Sequence, residues 1–207
     1  LLVNLGSPES PTAKDVKPYL DEFLMDKYVI DYPYLLRALL VRGIILNFRP
    51  KKSAKAYRKI WWDEGSPLIV LSRRLQDKVR QHTDVPVGLA MRYGKPSIQT
   101  GLQELYDQGV REVMLFPLYP QYAMATTKTI VVLAEEIRQK HFPDMTFTHV
   151  PAFYDKEDYI EALAASIKPH LDAFDYDHVL FSYHGIPERH IRKTDPTKSH
   201  CKIDSTC

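Results

Sequence analysis

The histidine at position 184 is the side chain of this sequence whose surroundings best suit chemistry. It follows an apolar run, residues 179–183, that predicts a buried strand, and Gly185 and Pro187 follow it in a turn. In open α/β sheets, ligands and reactive groups collect outside the carboxyl ends of the strands. An imidazole there can accept a proton near neutral pH or bind a metal ion. We therefore predict that His184 has one of these two roles.

Three other loops that follow predicted strands carry tyrosines and an arginine. They are NLGSP (residues 4–8), Arg92-Tyr93-Gly94 and PLYPQY (residues 117–122). Since the carboxyl ends of parallel strands open at one edge of a sheet, we expect these loops to meet His184 at a common rim. Few carboxylates occur in them, and the sequence contains no GxGxxG or GxxxxGK[ST] motif. The rim therefore suits a flat, aromatic ligand better than a polyphosphate.

The elements that must position these loops alternate between strand and helix. Such alternation indicates a parallel sheet with helices on both faces and right-handed crossovers. We therefore predict an α/β fold with a first lobe over residues 1–150 and a second that begins at 151 and is cut short at 207. Hydrophobic periodicity predicts strands over residues 1–5, 85–91, 112–118, 146–150 and 179–183, and helices over 12–25, 33–48, 51–62, 66–81, 97–108, 126–140 and 157–171.

The composition excludes several classes of protein. With 44% hydrophobic and 26% charged residues, the 207-residue chain resembles an ordinary globular protein. A net charge of +2 gives no reason to expect a nucleic-acid partner, and two cysteines do not suit a disulfide-stapled scaffold. We expect no signal peptide, and no apolar run in these residues reaches the ~20 residues of a transmembrane helix. Both ends look cut, so we expect a fragment of a longer protein.

Five stretches, in order along the chain, resemble the ferrochelatase family, whose members insert ferrous iron into a porphyrin to make haem. They are NLGSP, the basic and aromatic residues 49–66, AMRYGKPSI (90–98), FPLYPQYAMATT (116–127) and LFSYHGIPERHIRKTDP (180–196). The resemblance implies a chelatase-like fold of two Rossmann-like parallel-sheet lobes, the second one truncated here, with the porphyrin in the cleft between them. It also implies a cytoplasmic enzyme that needs no organic cofactor, with Fe(II) and protoporphyrin IX as substrates.

Position by position, the resemblance implies that His184 is the catalytic residue, which binds the iron and accepts porphyrin protons. It implies a partner glutamate as well, which we expect beyond residue 207. An ordinary ion pair is the alternative role for Arg92, and Arg49 or Lys52 could bind the propionates. The porphyrin-binding positions that we expect are Leu5, Arg49, Tyr57, Ser66, Arg92, Tyr93, Tyr119 and Tyr122.

Cys201 and Cys207 leave two interpretations open. Their Cys-x5-Cys spacing fits no common zinc motif. Some bacterial members of the family carry a [2Fe–2S] cluster, in certain cases on a segment shortly after the histidine signature. Such a cluster would need further cysteines beyond residue 207. The alternative is that both residues are free thiols.

The apolar residues between 35 and 46 exceed what one buried helix face needs. With Arg37 and Arg42 beside them, they form either part of the core or a peripheral membrane contact that receives a hydrophobic porphyrin.

Two other functions remain open from the sequence. One is a related chelatase that acts on coproporphyrin or inserts cobalt. The other is a tetrapyrrole-binding α/β module without catalysis.

Overall fold

The computed structural model describes residues 1–201, so Cys207 lies outside the described residues. Within that range, four parallel strands form one sheet in the order β2-β1-β3-β4. The predicted α/β class with a parallel sheet is confirmed. The chain leaves β1 and β3 in opposite directions, so the topological switch point lies between their carboxyl ends. The strands are β1 (Leu2–Ser7), β2 (Leu89–Gly94), β3 (Glu112–Pro117) and β4 (Thr146–His149).

Helices connect the strands, and side chains cap two of the helices that the structure describes. Thr12 accepts a hydrogen bond from the Asp15 N–H at the start of α1, and Ser97 accepts one from Thr100 at the start of α5. The α-helices described are α1 (Ala13–Leu24), α2 (Tyr34–Ala38), α3 (Leu46–Ile60), α4 (Pro67–Arg80), α5 (Ile98–Asp107), α6 (Thr129–His141), α7 (Glu157–Asp172) and α8 (Glu188–Thr194).

The two helices predicted over residues 33–48 and 51–62 form one continuous helical run. A π-helical segment, Leu39–Ile45, joins α2 to α3, and α3 continues through Pro50. Proline has no N–H to donate, so Pro50 leaves one carbonyl group without its usual helical partner, but it does not end the helix. A second π-helical segment, Met124–Lys128, leads into α6. Such segments occur frequently near functional sites.

Alternating side chains of the strands divide the core between the two faces of the sheet. Val3 belongs to the cluster under α5 and α6, whereas its neighbour Leu2 belongs to the cluster with Leu89 and Met91 under α4. A third cluster lies between α1, α3 and the end of β2, and includes Tyr93. Buried apolar side chains on both faces explain why the strands have nearly continuous hydrophobic sequences.

The chain divides into two compact units. Unit 1 consists of Leu1–Tyr119 and Met124–Val150, and unit 2 consists of Pro120–Ala123 and the chain from Pro151 onward. No helix among the residues described is long and apolar enough to cross a membrane.

The strand predicted over residues 179–183 is absent, and that prediction was wrong. Residues 178–187 form neither strand nor helix, and Leu180 and Tyr183 are 92% and 82% exposed. A strand needs a hydrogen-bonded neighbour, and the described part of unit 2 offers no strand with which this segment could pair.

Candidate active site at the carboxyl edge of the sheet

Gly6 allows β1 and β2 to approach each other closely at the edge where the predicted site lies. Its φ is +103°, and a Cβ at this position would lie 1.8 Å from the carbonyl oxygen of Tyr93. Glycine is therefore required by both the backbone conformation and the contact. The loops that follow β1 and β2 consequently begin side by side.

Arg92, at the end of β2, forms a buried ion pair. Its Nη2 donates to the Asp26 carboxylate over 2.5 Å, and its Nε donates to the Thr129 hydroxyl over 2.7 Å. The side chains of Arg92 and Asp26 are only 12% and 3% exposed. The structure therefore provides the ion pair that was the alternative for Arg92, and a contact between its guanidinium and a ligand stays a prediction.

Tyr93 is fully buried in the cluster between α1 and α3. Its hydroxyl donates to Asp26 over 2.8 Å, and its ring packs edge-on against Phe23 with centroids 5.1 Å apart. Burial, as the largest effect, raises the pKa of this phenol above its usual value. A ligand could contact the Tyr93 side chain only if the side chain left this position, so its predicted role in binding stays a prediction.

Tyr119 follows β3 and packs against the core under α5 and α6. Its hydroxyl is buried and has no hydrogen-bond partner among the described residues. Burial raises its pKa, and the nearby charge of Arg92 opposes that shift. A buried hydroxyl without a partner is unusual in a folded protein. The Tyr119 hydroxyl is therefore a candidate hydrogen-bonding group for a ligand or a water molecule.

Leu5 and Tyr57 both pack against the cluster between α1 and α3. The Tyr57 ring lies between Tyr19 and Trp61, with centroid distances of 6.4 and 6.1 Å. Ser66 is buried just before α4. These predicted site residues therefore take part in packing, while Tyr57 and Leu5 keep part of their surface accessible.

Arg49 lies on the exposed side of α3, in a cleft of about 530 Å³. Lys52 and Ser53 supply polar groups to the same cleft, and Ile44 and Phe48 supply apolar walls. Cations beside apolar surface suit an amphiphilic ligand that carries carboxylates.

His184 and Tyr122, the two remaining predicted site residues, belong to unit 2. Both side chains are exposed, and His184 precedes α8, which begins at Glu188. The structure brings Leu5, Tyr57 and Tyr93 into one cluster of unit 1. The roles of His184 and Tyr122 stay predictions.

Asp26 and Thr129 have central places at this edge and were not predicted. They lie 103 positions apart in sequence and become neighbours through the fold. Asp26 stands in a short polar segment after α1, and Thr129 lies within an apparently regular helical pattern. No pattern of local spacing links them, so sequence periodicity offered no signal for this pair.

Cys201 is the one predicted cluster ligand among the described residues. Cys201 is half-buried, and its backbone N–H donates to the Asp195 carboxylate over 2.8 Å. No group of three or more histidine, cysteine, aspartate or glutamate side chains in the described range is arranged to hold a metal ion. The whole sequence has two cysteines, whereas the usual [2Fe–2S] ligand set has four.

Comparison with known proteins identifies the family. A family model described as Ferrochelatase matches residues 1–206. The chain belongs to the ferrochelatase family. This chain is 54% identical over 209 residues to the ferrochelatase of Ectopseudomonas mendocina (strain ymp). It is 53% identical over 208 residues to the ferrochelatase of Pseudomonas fluorescens (strain SBW25). Both alignments include 100% of this chain, which spans 61% and 60% of the length of these relatives.

Proposed function

We propose that the whole protein is a cytoplasmic ferrochelatase that inserts Fe(II) into protoporphyrin IX, the final step of haem synthesis. Membership of the ferrochelatase family, with a match over residues 1–206, carries this proposal. The parallel sheet supports it, because Arg92 and Tyr93 lie at the end of β2 and Tyr119 follows β3, at the edge where α/β folds bind ligands.

His184 is the group that we propose for the proton transfer and for the contact with iron. Insertion requires the removal of two protons from the pyrrole nitrogens and the delivery of a dehydrated metal ion. A neutral imidazole, with a reference pKa of ~6.5, can accept a proton at the pH of a cell. The His184 side chain is exposed in this chain, so access does not prevent the contact.

Arg49 and Lys52 are the cations that we propose for the porphyrin propionates. Both line the cleft on α3, whereas the charge of Arg92 is already compensated by Asp26. A guanidinium can donate two parallel hydrogen bonds to one carboxylate, and a lysine can add a third contact. The apolar walls of Ile44 and Phe48 would then lie against the macrocycle.

The alternatives differ in substrate or in chemistry. A chelatase for coproporphyrin must compensate additional carboxylates, and a cobalt chelatase would differ only in its metal ion. A tetrapyrrole-binding module would bind porphyrin stoichiometrically without turnover. Zinc, iron and cobalt insertion into each porphyrin, followed by absorbance, distinguishes these functions.

The decisive experiment replaces His184 in the full-length protein. We expect His184→Ala to lower the rate of zinc or iron insertion by about 10²–10⁴-fold, because general-base catalysis typically contributes that much. His178→Ala is a matched control, because His178 is an exposed histidine in the same irregular segment. A rate for His184→Ala within about threefold of wild type would refute the proposed role.

Peripheral membrane contact is a further part of the proposed function. Several apolar side chains of α2 and the following π-helical segment face outward, with Leu35 81% and Leu39 66% exposed, whereas Val41 is buried in the core. Arg37 is buried instead and donates to the carbonyl oxygens of Ile30 and Tyr32. This apolar surface is the feature that favours contact with a lipid surface.

Flotation with liposomes tests the membrane contact. We expect wild-type full-length protein to float with the vesicles and Leu35→Asp/Leu39→Asp to remain in the soluble fraction, because the aspartates would have to lose water. Val85→Asp is the control, since Val85 is 67% exposed but lies outside the α2 surface. Equal flotation of all three proteins would exclude this surface as the contact.

A [2Fe–2S] cluster is a proposal for the whole protein only. Cys201 and Cys207 supply two of the four sulfur ligands that the cluster requires, so two more cysteines would have to lie outside this chain.

A further inference from the structure

Asp26 lies at the meeting point of three elements that border the carboxyl edge of the sheet. It follows the end of α1, while its partners Arg92 and Thr129 lie at the end of β2 and the start of α6. Thr129 follows the loop of Tyr119 and the second π-helical segment. Asp26 therefore forms hydrogen bonds to β2, on one side of β1, and to the helix that follows β3, on the other side.

Both oxygens of the Asp26 carboxylate accept hydrogen bonds. One oxygen accepts from the Arg92 guanidinium, the Tyr93 hydroxyl and the Thr129 hydroxyl. The other oxygen accepts from the backbone N–H of Tyr28 over 2.7 Å. A buried charge with this many donors is held in one orientation.

The Arg92 guanidinium is also held by more than one contact. Besides the bond to Asp26, its Nε donates to the hydroxyl of Thr129, which in turn donates to Asp26. The guanidinium carbon lies 4.4 Å from the centre of the Tyr93 ring. The result is a closed triangle of Arg92, Asp26 and Thr129.

A competing partner for Arg92 exists outside this triangle. Glu22 lies 4.0 Å from Nη1 of Arg92, and its side chain is 48% exposed. If Asp26 lost its charge, the guanidinium would gain by turning towards Glu22. It would then leave Thr129 and alter the charge near Tyr119, whose hydroxyl is buried without a partner in the described chain.

We propose that Asp26 is a positioning residue of the porphyrin site, whose carboxylate holds the Arg92 guanidinium at the carboxyl edge in the orientation that metal insertion requires. This inference rests on the proposed chelatase function. The Asp26 side chain is only 3% exposed. Its effect on turnover would pass through Arg92 and the neighbouring Tyr119 loop.

The first experiment uses the full-length enzyme and separates the positioning of Arg92 from the stability of the fold. We expect Asp26→Asn to lower kcat for zinc insertion by at least about tenfold, since small displacements in a site have large effects on rate. The double variant Asp26→Asn/Arg92→Gln removes both charges, so we expect it to recover the thermal unfolding midpoint but not kcat. The proposal would be overturned if the double variant recovered kcat together with the unfolding midpoint. It would also be overturned if kcat of Asp26→Asn were within about twofold of wild type.

A second pair of variants covers the case in which Asp26→Asn fails to fold. Thr129→Val is nearly isosteric and removes the hydroxyl of the triangle, whereas Thr129→Ser keeps it. We expect a loss of kcat in the valine variant that the serine variant largely restores, with little change in KM for the porphyrin. Equal kcat in the two variants would contradict the proposal.

A spectroscopic measurement keeps this inference distinct from the proposed function. In the full-length protein, we expect the Nε–H of Arg92 to give an NMR signal protected from solvent exchange. The signal should disappear in Arg92→Gln and lose protection in Asp26→Asn. Full protection in Asp26→Asn would refute positioning by Asp26, whereas a wild-type protein that inserts no metal would refute the chelatase function.

Discussion

At the scale of single residues, close contacts at the carboxyl edge leave little freedom of substitution. Gly6 pairs with Tyr93 in the sheet, and its missing side chain makes room for the Tyr93 carbonyl group. Tyr93 in turn supplies one of the donors to Asp26. Tyr93 therefore links the backbone of β1 to the buried ion pair between Arg92 and Asp26.

This contact predicts a large difference between two glycine substitutions. Gly6→Ala should lower the free energy of unfolding by about 3 kcal/mol or more, because it combines backbone strain with an overlap that the backbone must relieve. Gly109 also has a positive φ, +83°, but no atom would meet its added Cβ within 4 Å. Gly109→Ala should therefore cost only about 1–2 kcal/mol. Urea unfolding measures both values, and equal losses would contradict the packing argument.

At the scale of elements, aromatic rings connect α1, α3 and β2. Tyr19 stacks on Phe23, with centroids 6.3 Å apart, and meets Tyr57 edge-on. Phe23 continues the contact to Tyr93. Burial raises the pKa of both Tyr19 and Tyr93, because a phenolate would lose its hydration there. Ionisation of these phenols would therefore destabilise the interface of these elements.

Stability should consequently fall in alkaline solution. Below pH ~10 the phenols are protonated in both the folded and the unfolded chain. Above it, the unfolded chain releases protons that the folded chain retains, so the free energy of unfolding decreases as the pH rises. Urea midpoints between pH 8 and pH 11 test this effect. Tyr19→Phe should weaken the pH dependence and the exposed-site control Tyr154→Phe should not; identical curves for all three proteins would exclude Tyr19 as a source.

At the scale of the whole molecule, the two units differ in how much they bury. Unit 1 contains the apolar clusters on both faces of the sheet. In the described part of unit 2, His190 is the one buried residue, and α7 buries none of its side chains. A unit without a hydrophobic core cannot offset the entropy lost on folding. We therefore expect unit 2 to gain its core only in the whole protein.

Hydrogen exchange measures this difference. In the 207-residue chain, amides of β1 and β3 should be protected and those of α7 should exchange rapidly. In the full-length protein, the protection of α7 should rise by about tenfold or more, because additional chain can cover its apolar side chains. Equal protection of α7 in the two proteins would show that the added chain does not complete unit 2.

Hydrophobic periodicity by itself determined most elements of unit 1, because its strands and helices bury faces with regular spacing. It also indicated that Arg92 and Tyr119 lie at one edge, since parallel strands end on the same side of a sheet. The loop predicted for Arg92, Tyr93 and Gly94 was wrong, because these residues belong to β2 and pair with β1. The motifs that resemble the ferrochelatase family determined the family. These features depend on local sequence, which a pattern can record.

Only the tertiary structure decided the features that depend on distant partners. Residues 179–183 have a strand-like sequence, yet they form no strand, because the described part of unit 2 contains no strand with which they could pair. Similarly, Val87 lies in a predicted strand, but its carbonyl accepts hydrogen bonds from Gln76 and Arg80 of α4, and β2 begins two residues later. The pairing of Arg92 with Asp26, 66 positions away, is of the same kind. Periodicity records which face of an element is apolar, whereas these contacts depend on which elements the fold brings together.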